Sequence, residues 1–393
     1  MSARLADAPL PDLSAAELRR FGRHLILPEF GIEGQRRLKA GSVLLIGAGG
    51  LGCPTALYLA AAGVGRIGLV DPDVVDETNL QRQVAHGYST LGRQKTESAA
   101  ARMTDLNPDL VIERHDVFLT VDNALDLIAG YDVVIDGTDN FPTRYLVNDA
   151  CTRLGIPNVY GGVLRFDGQL SVFDARVGPC YRCLFPEPPP TELAPNCAEA
   201  GVLGVLPGVI GALQATEAIK LLTGIGTPMI GRMLVYDGLD LSFGTVTVAK
   251  APDCPCCSKP RSEIVLREVQ MVCSAPVVGQ GLSAAQALAR LEAGPEMVLL
   301  DVRNPPEWMG GTLPDALRIP KPLIDEAIGA LREQGTAAAG VLGDIPRDRD
   351  VLVYCQSGMR SAAVIRALAT AGYDPGRLFN LEKGFSAWTG PKA

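Results

Sequence analysis

The stretch VLLIGAGGLGCPTALYL, residues 43–59, constrains the fold of this chain more than any other. An apolar run rich in leucine and isoleucine stops at Gly47-Ala48-Gly49-Gly50-Leu51-Gly52, and a helical pattern begins directly after it. Glycine takes the Cβ atoms out of such a turn, so backbone N–H groups can approach a phosphate at the positive end of the helix. The order of strand, glycine turn and helix opens a doubly wound α/β fold. The next segments keep that alternation: a helix around 54–62, RIGLVD, a helix around 92–105, VIERHDV, YDVVIDGTD, another helix, and IPNVYGG. This pattern predicts a mostly parallel sheet with helices on both faces. Hairpin-like strands follow (QLSVFDA, MLVYDG, GTVTVA), with a long apolar helix over 208–223. Ahead of the sheet, SAAELRRFGRHLI at 14–26 predicts one helix entered through a Ser14/Glu17 capping box.

A chain of 393 residues exceeds one ordinary core and predicts more than one domain. Residues 14–260 hold the first α/β unit and 261–279 read as a linker. A smaller α/β unit over 280–393 carries VLLDVR, VLVYC, a helix near 360–371 and LFNLEKGFSAW. The net charge of −8 and a pI near 5.1 argue against a nucleic-acid or anionic-membrane partner. No run reaches the roughly 20 apolar residues of a membrane span, and the start has no signal-peptide core, so a cytoplasmic protein is expected. In that compartment closely spaced cysteines point to metal binding or catalysis rather than disulfides.

Alone, the glycine loop fits NAD or FAD as well as ATP. Asp71 ends the next strand, where an acid binds ribose hydroxyls. Asn79, Arg82 and Lys95 lie just beyond it in NLQRQ and GRQK. Two cations with an amide suit a triphosphate better than a nicotinamide pocket; singly, each would read as a solvated surface charge. Asp136-Gly137-Thr138-Asp139-Asn140 sits at a strand's carboxyl end, where ligands gather in open α/β sheets, and Asp139 could hold Mg2+ on phosphates.

Among ten cysteines, Cys180/Cys183 and Cys254/Cys257 form two CxxC pairs, enough thiolates for a closed tetrahedral Zn2+ site. Cys256, between the second pair, leaves open which two of these three would ligate. Cys197 lies in the proline-rich FPEPPPTELAPNCAEAG stretch, which cannot be a helix or a central strand. Cys53 and Cys151 sit in apolar helical contexts and read as buried filler. Cys355 in CQSGMRS follows a strand and precedes a helix, where backbone N–H groups and the helix dipole stabilise a thiolate or persulfide anion.

GAGGLG, Asp71-Pro-Asp73, NLQRQ, GRQK and Thr138-Asp139-Asn140, in this order, resemble the MoeB/ThiF branch of the ubiquitin-activating-enzyme superfamily over residues 14–260. The resemblance implies adenylation of the C-terminal glycine of a ubiquitin-like sulfur carrier protein ending in Gly-Gly. By it, Gly47, Gly49, Gly50 and Gly52 line the nucleotide and Asp71 binds ribose. Asn79, Arg82 and Lys95 bind the ATP phosphates, and Asp139, beside Asn140, holds Mg2+. Arg23 would reach the ATP of a partner subunit, which implies a homodimer. Cys180, Cys183, Cys254 and Cys257 would bind zinc, and Cys197 would be a catalytic crossover-loop cysteine, either forming a thioester with the carrier or cleaving an acyl disulfide between carrier and enzyme.

CQSGMRS, DVRNPPEW and NLEKGFSAW resemble rhodanese-type sulfurtransferases. Only Gln356, Ser357, Gly358 and Met359 separate Cys355 from Arg360, one residue fewer than in phosphatases of related fold, a loop sized for sulfur. Gly311-Thr312 stands where that family usually has glycine–histidine. The pairing of both domains resembles the molybdopterin-synthase sulfurylase family, with Cys355 and Arg360 as catalytic residues of the second unit and Cys355 as persulfide carrier loaded by thiosulfate or a cysteine desulfurase. Molybdopterin, thiamine, cysteine or a thio-containing natural product are all open destinations. Two rival readings are a nicotinamide oxidoreductase with a fused sulfurtransferase and a non-catalytic scaffold that docks a ubiquitin-like partner.

Overall fold

A computed structural model describes residues 9–189, 201–269, 278–294, 297–334 and 340–393. The chain divides into two compact units, Met1–Val272 and Cys273–Ala393.

The first unit opens with helices α1 (Ala15–Arg20), α2 (Gly22–Leu25) and α3 (Gly31–Ala40). The Ser14/Glu17 capping box is present, but the single helix expected over 14–26 is two. The break falls at Phe21, whose ring turns inward against Gly63, where a Cβ would lie 2.5 Å from it. Gly22, next in line, makes the bend cheap.

An eight-stranded sheet follows, in spatial order β3-β2-β1-β4-β5-β6-β7-β8. Its members are β1 (Ser42–Ile46), β2 (Arg66–Val70), β3 (Val111–His115), β4 (Val133–Asp136), β5 (Asn158–Leu164), β6 (Asp167–Phe173), β7 (Arg232–Asp237) and β8 (Ser242–Thr247). The strands from β3 to β5 run parallel, and β6 to β8 add antiparallel hairpins. Every residue of β1 is buried, as a central parallel strand covered on both faces requires.

Helix α4 (Gly52–Ala62) packs on this sheet beside α9 (Leu206–Thr223); Cys53, Ala56, Leu59, Ala215, Ala218 and Leu222 share one apolar core. The two helices approach closely because Gly211 has no Cβ: one there would stand 2.6 Å from the Leu51 carbonyl oxygen. The other face of the sheet is covered by α6 (Ala124–Ile128) and α7 (Phe141–Leu154), while α5 (Lys95–Leu106) packs beside α4. A one-turn helix, α8 (Tyr181–Leu184), follows the first hairpin. From residue 261 the chain stays on this unit, with Ile264 and Leu266 buried.

In the second unit five strands run parallel in the order β11-β10-β12-β13-β9. They are β9 (Gln280–Leu282), β10 (Val298–Asp301), β11 (Leu317–Arg318), β12 (Val351–Tyr354) and β13 (Leu378–Leu381). Helices α10 (Ala284–Ala293), α11 (Pro305–Trp308), α12 (Lys321–Gln334) and α13 (Met359–Thr370) surround them. Leu300, Val351, Val353, Ile365 and Leu378 form the centre of its core. Arg303 is fully buried with its guanidinium on Asp301 at 2.7 Å. Among the described residues no helix is long and apolar enough to cross a membrane.

Candidate functional site

Strand order reverses at β1, which lies between β2 and β4; a crevice at the carboxyl ends of such strands is where open α/β sheets hold ligands. The glycine loop and the Asp136–Asn140 loop meet there. Gly47 has φ +96°, and a Cβ on it would stand 3.0 Å from the Gly137 carbonyl oxygen. Gly52 starts α4 under a tighter limit, since its Cβ would lie 1.9 Å from the Gly47 carbonyl.

Asp71, at the end of β2, is buried; its carboxylate accepts from Ala48 N–H at 2.7 Å and Asp73 N–H at 2.9 Å. Burial lifts its pKa above the ordinary carboxylate value, against the pull of Lys95 and both backbone donors. Lys95 begins α5, is buried, and reaches Asp73 Oδ2 at 2.8 Å. Arg82 lies over the loop: a Cβ on Gly50 would touch its Cγ at 3.7 Å. Its guanidinium donates to the Thr78 carbonyl at 3.1 Å and so stays near Asn79, which ends a short turn.

The fold thus brings Gly47, Gly49, Gly50, Gly52, Asp71, Arg82 and Lys95 to one region. Asp139 is exposed on the adjoining loop. The side chain of Asn140 caps α7, accepting from Thr143 N–H at 2.9 Å. Arg23 is exposed on α2 and makes no hydrogen bond or ion pair among the described residues. Cys197 lies outside the described residues.

Two polar residues of this region were not singled out in the sequence. Gln83 is buried beside Gly49 with its Oε1 unpartnered among the described residues. His86 is buried, with Nε2 2.9 Å from the Ala48 carbonyl oxygen and Nδ1 3.0 Å from Ser98 Oγ. A carbonyl only accepts, so Nε2 carries the proton; burial holds the His86 pKa below its usual value. His86 therefore ties the glycine loop to α5. Gln83 is the last residue of NLQRQ and His86 lies three residues beyond it, but neither residue type by itself marks a nucleotide loop.

A second cluster forms from the CxxC pairs. The ligand atoms of Cys180, Cys183, Cys254 and Cys257 all lie within 4.8 Å of one another. Cys180 Sγ is 3.5 Å from Cys254 Sγ, and Cys183 Sγ is 3.4 Å from Cys257 Sγ. The neighbouring Cys256 sulfur, then burial, drive the Cys180 thiol far above its ordinary pKa; burial and the Cys180 charge do the same for Cys257. Thiols crowded like this resist ionising together unless a cation compensates them, and four sulfurs at such separations fit a tetrahedral divalent ion. Cys256 is buried beside Cys180 and reaches Asn148 Nδ2 at 3.9 Å. Cys53 and Cys151 are buried; burial pushes the Cys53 thiol up to about 12.

If zinc fills the cluster, Cys254→Ser lowers bound zinc below one per chain. It also lowers the thermal midpoint by about 5–10 °C, since roughly 2–4 °C accompanies each kcal/mol in a domain of this size. Elemental analysis and a melting curve of the purified full chain check this. A zinc-free wild type whose melting ignores chelator would refute it.

In the second unit Cys355 directly follows β12 and is fully buried. Gly358 N–H donates to its sulfur at 3.1 Å, and Ser361 Oγ lies 3.6 Å away. Gly358 has φ +92°, and a Cβ would stand 3.0 Å from the Lys383 nitrogen, so the loop needs glycine here. Arg360, the second residue of α13, sends both guanidinium ends to Glu307 at 2.7 and 2.6 Å.

Comparison with known proteins finds a match for each unit. The profile of the ThiF family matches residues 21–256. The chain belongs to the ThiF family. Its residues 283–391 match the rhodanese-like domain. This ThiF-family chain is 45% identical over 97% of its length to the Mycobacterium tuberculosis protein named "Probable adenylyltransferase/sulfurtransferase MoeZ", covering 95% of that protein. It is 40% identical to mouse "Adenylyltransferase and sulfurtransferase MOCS3", over 97% of this chain and 87% of that one. The Thermus thermophilus "Sulfur carrier protein adenylyltransferase" is 50% identical over 65% of this chain and 97% of its own. Among solved structures, Escherichia coli MccB aligns with a TM-score of 0.55 at 20% identity, over 63% of this chain and 76% of that chain; this speaks to the fold alone. The architecture of a mostly parallel adenylation sheet followed by a rhodanese unit is therefore established.

Proposed function

We propose that this ThiF-family chain uses MgATP to adenylate the C-terminal glycine of a ubiquitin-like sulfur carrier protein and converts it to a thiocarboxylate with sulfur held on Cys355. The observation that carries the reading is one chain holding both a ThiF glycine-loop cleft and a rhodanese loop whose cysteine sulfur receives a backbone N–H.

In the cleft, Asp71 orients the ribose, while Asn79, Arg82 and Lys95 hold the phosphates. Asp139, exposed on the facing loop, would hold Mg2+, which neutralises phosphate charge. The carrier carboxylate attacks the α-phosphate, pyrophosphate leaves, and a poor electrophile becomes an acyl-adenylate with AMP as leaving group. Arg23 is exposed and its side chain engages no partner among the described residues, which supports its service to a second copy in a homodimer. Zinc held by Cys180, Cys183, Cys254 and Cys257 would be structural, clamping the turn after β8 to α8.

The Cys355 persulfide anion attacks the activated carbonyl and expels AMP, giving an acyl disulfide. Cys197 thiolate then attacks the Cys355 sulfur. The carrier leaves as thiocarboxylate, and the resulting Cys197–Cys355 disulfide is reduced by a cellular dithiol. The test is the intact mass of a Gly-Gly-ending carrier after incubation with this protein, MgATP, a sulfur donor and reductant. A gain equal to sulfur replacing oxygen is expected. No change across several carriers with both thiosulfate and a desulfurase as donor would overturn the reading.

A further inference from the structure

The inference rests on Cys355 as the sulfur acceptor and concerns which donor loads it. A guanidinium beside a sulfur-accepting loop is a natural anchor for a dianionic donor, because its planar fork binds two oxygens at once. In this chain the fork is already filled. Arg360 Nη1 lies 2.7 Å from Glu307 Oε2 and Nη2 lies 2.6 Å from Oε1. Glu307 is itself held: its Oε2 also accepts from Asn304 N–H at 2.9 Å, at the start of α11.

Burial alone would raise the Glu307 pKa. The Arg360 hydrogen bonds, the Asn304 N–H and the Arg360 and Arg303 charges outweigh it and leave the carboxyl below its ordinary value, so it is ionised at neutral pH. Arg303 offers no substitute, being fully buried on Asp301 and on the Gly311 carbonyl. Lys383 and Lys392 are solvent-exposed point charges, and contacts of that kind are weak. Two exposed methionines flank the pair: Met359, between Cys355 and Arg360, is 51% exposed, and Met309, two residues past Glu307, is 90% exposed.

We propose that Glu307 determines donor specificity: by occupying the Arg360 fork it disfavours the thiosulfate dianion and favours a persulfide without a charged sulfonate. With thiosulfate, the Cys355 thiolate attacks the outer sulfur, its bond to the sulfonate sulfur breaks, and sulfite leaves with the electron pair. With a persulfide R–S–SH, the thiolate attacks the terminal sulfur and R–SH leaves with the proton. Both routes give the same Cys355 persulfide anion and need no other reactant. They differ in the charge that must be accommodated near Arg360.

The test compares the full-length wild type with Glu307→Gln, Glu307→Asp and the double variant Glu307→Gln/Arg360→Gln. Persulfidation of Cys355 is followed by mass with sodium thiosulfate and with cysteine persulfide as the donors. Glu307→Gln should raise the ratio of kcat/KM for thiosulfate over persulfide about tenfold or more, mainly through a lower thiosulfate KM, the scale expected when a charge-assisted fork becomes available. Glu307→Asp, which keeps the charge, should retain the wild-type ratio, and the double variant should lose the gain. A ratio unmoved in Glu307→Gln, or a wild type that uses both donors equally well, overturns the role of Glu307 while leaving Cys355 as acceptor. A wild type loaded by neither donor overturns the acceptor reading as well.

Discussion

Replacing Cys355 by alanine is expected to abolish carrier thiocarboxylate formation while carrier-dependent exchange of pyrophosphate into ATP continues. The proposal puts the sulfane sulfur on the Cys355 sulfur, which sits under the Gly358 N–H at 3.1 Å. Loss of a nucleophile typically costs on the order of a thousandfold or more in rate. Because Cys355 is buried among Val351, Val353 and Ile365, alanine leaves only a small void, and a melting curve should show the second unit still folded. The two half-reactions are then read separately, one by carrier mass and one by isotope exchange. A variant that loses both would mean that the adenylation unit depends on Cys355, against the division of labour proposed here.

Lys95→Ala makes the converse pattern. Exchange of pyrophosphate into ATP should fall by about 10²–10³, the usual cost of removing one preorganised electrostatic contact to a transferring phosphoryl group. Sulfur loading of Cys355 should persist. The expected size reflects two losses at one place. Lys95 is buried at the start of α5, and its charge works against the burial that lifts Asp71. Without it, Asp71 is held further toward its neutral form and Asp73 loses its 2.8 Å partner. Undiminished exchange in this variant would remove Lys95 from the phosphate set.

Much of this was legible in the sequence because it is local. A run of apolar residues broken by Gly47 to Gly52 can be read without knowing what lies across from it, and so can the capping box at Ser14. The break of the first helix was not legible, because it depends on Phe21 finding Gly63, a partner far along the chain. The CxxC spacing named two pairs, yet three cysteines competed for two places. Only the fold sets Cys254 and Cys257 against Cys180 and Cys183 and lays Cys256 against Asn148. Glu307 stood in plain view in DVRNPPEW, but its meaning comes from Arg360, which is distant in sequence. The same holds for Gln83 and His86: their roles come from touching the glycine loop, not from residue type.

The cysteine cluster also has a consequence in time. Chains fold largely from the N-terminus as they are made, and the four thiols that gather in the first unit end at Cys257, well before Cys355. A ribosome therefore completes the whole cluster before the reactive thiol of the second unit exists. A divalent ion that these four sulfurs take up during synthesis would be in place before Cys355 emerges, whereas Cys197, the resolving thiol of the proposal, is made before Cys254 and Cys257.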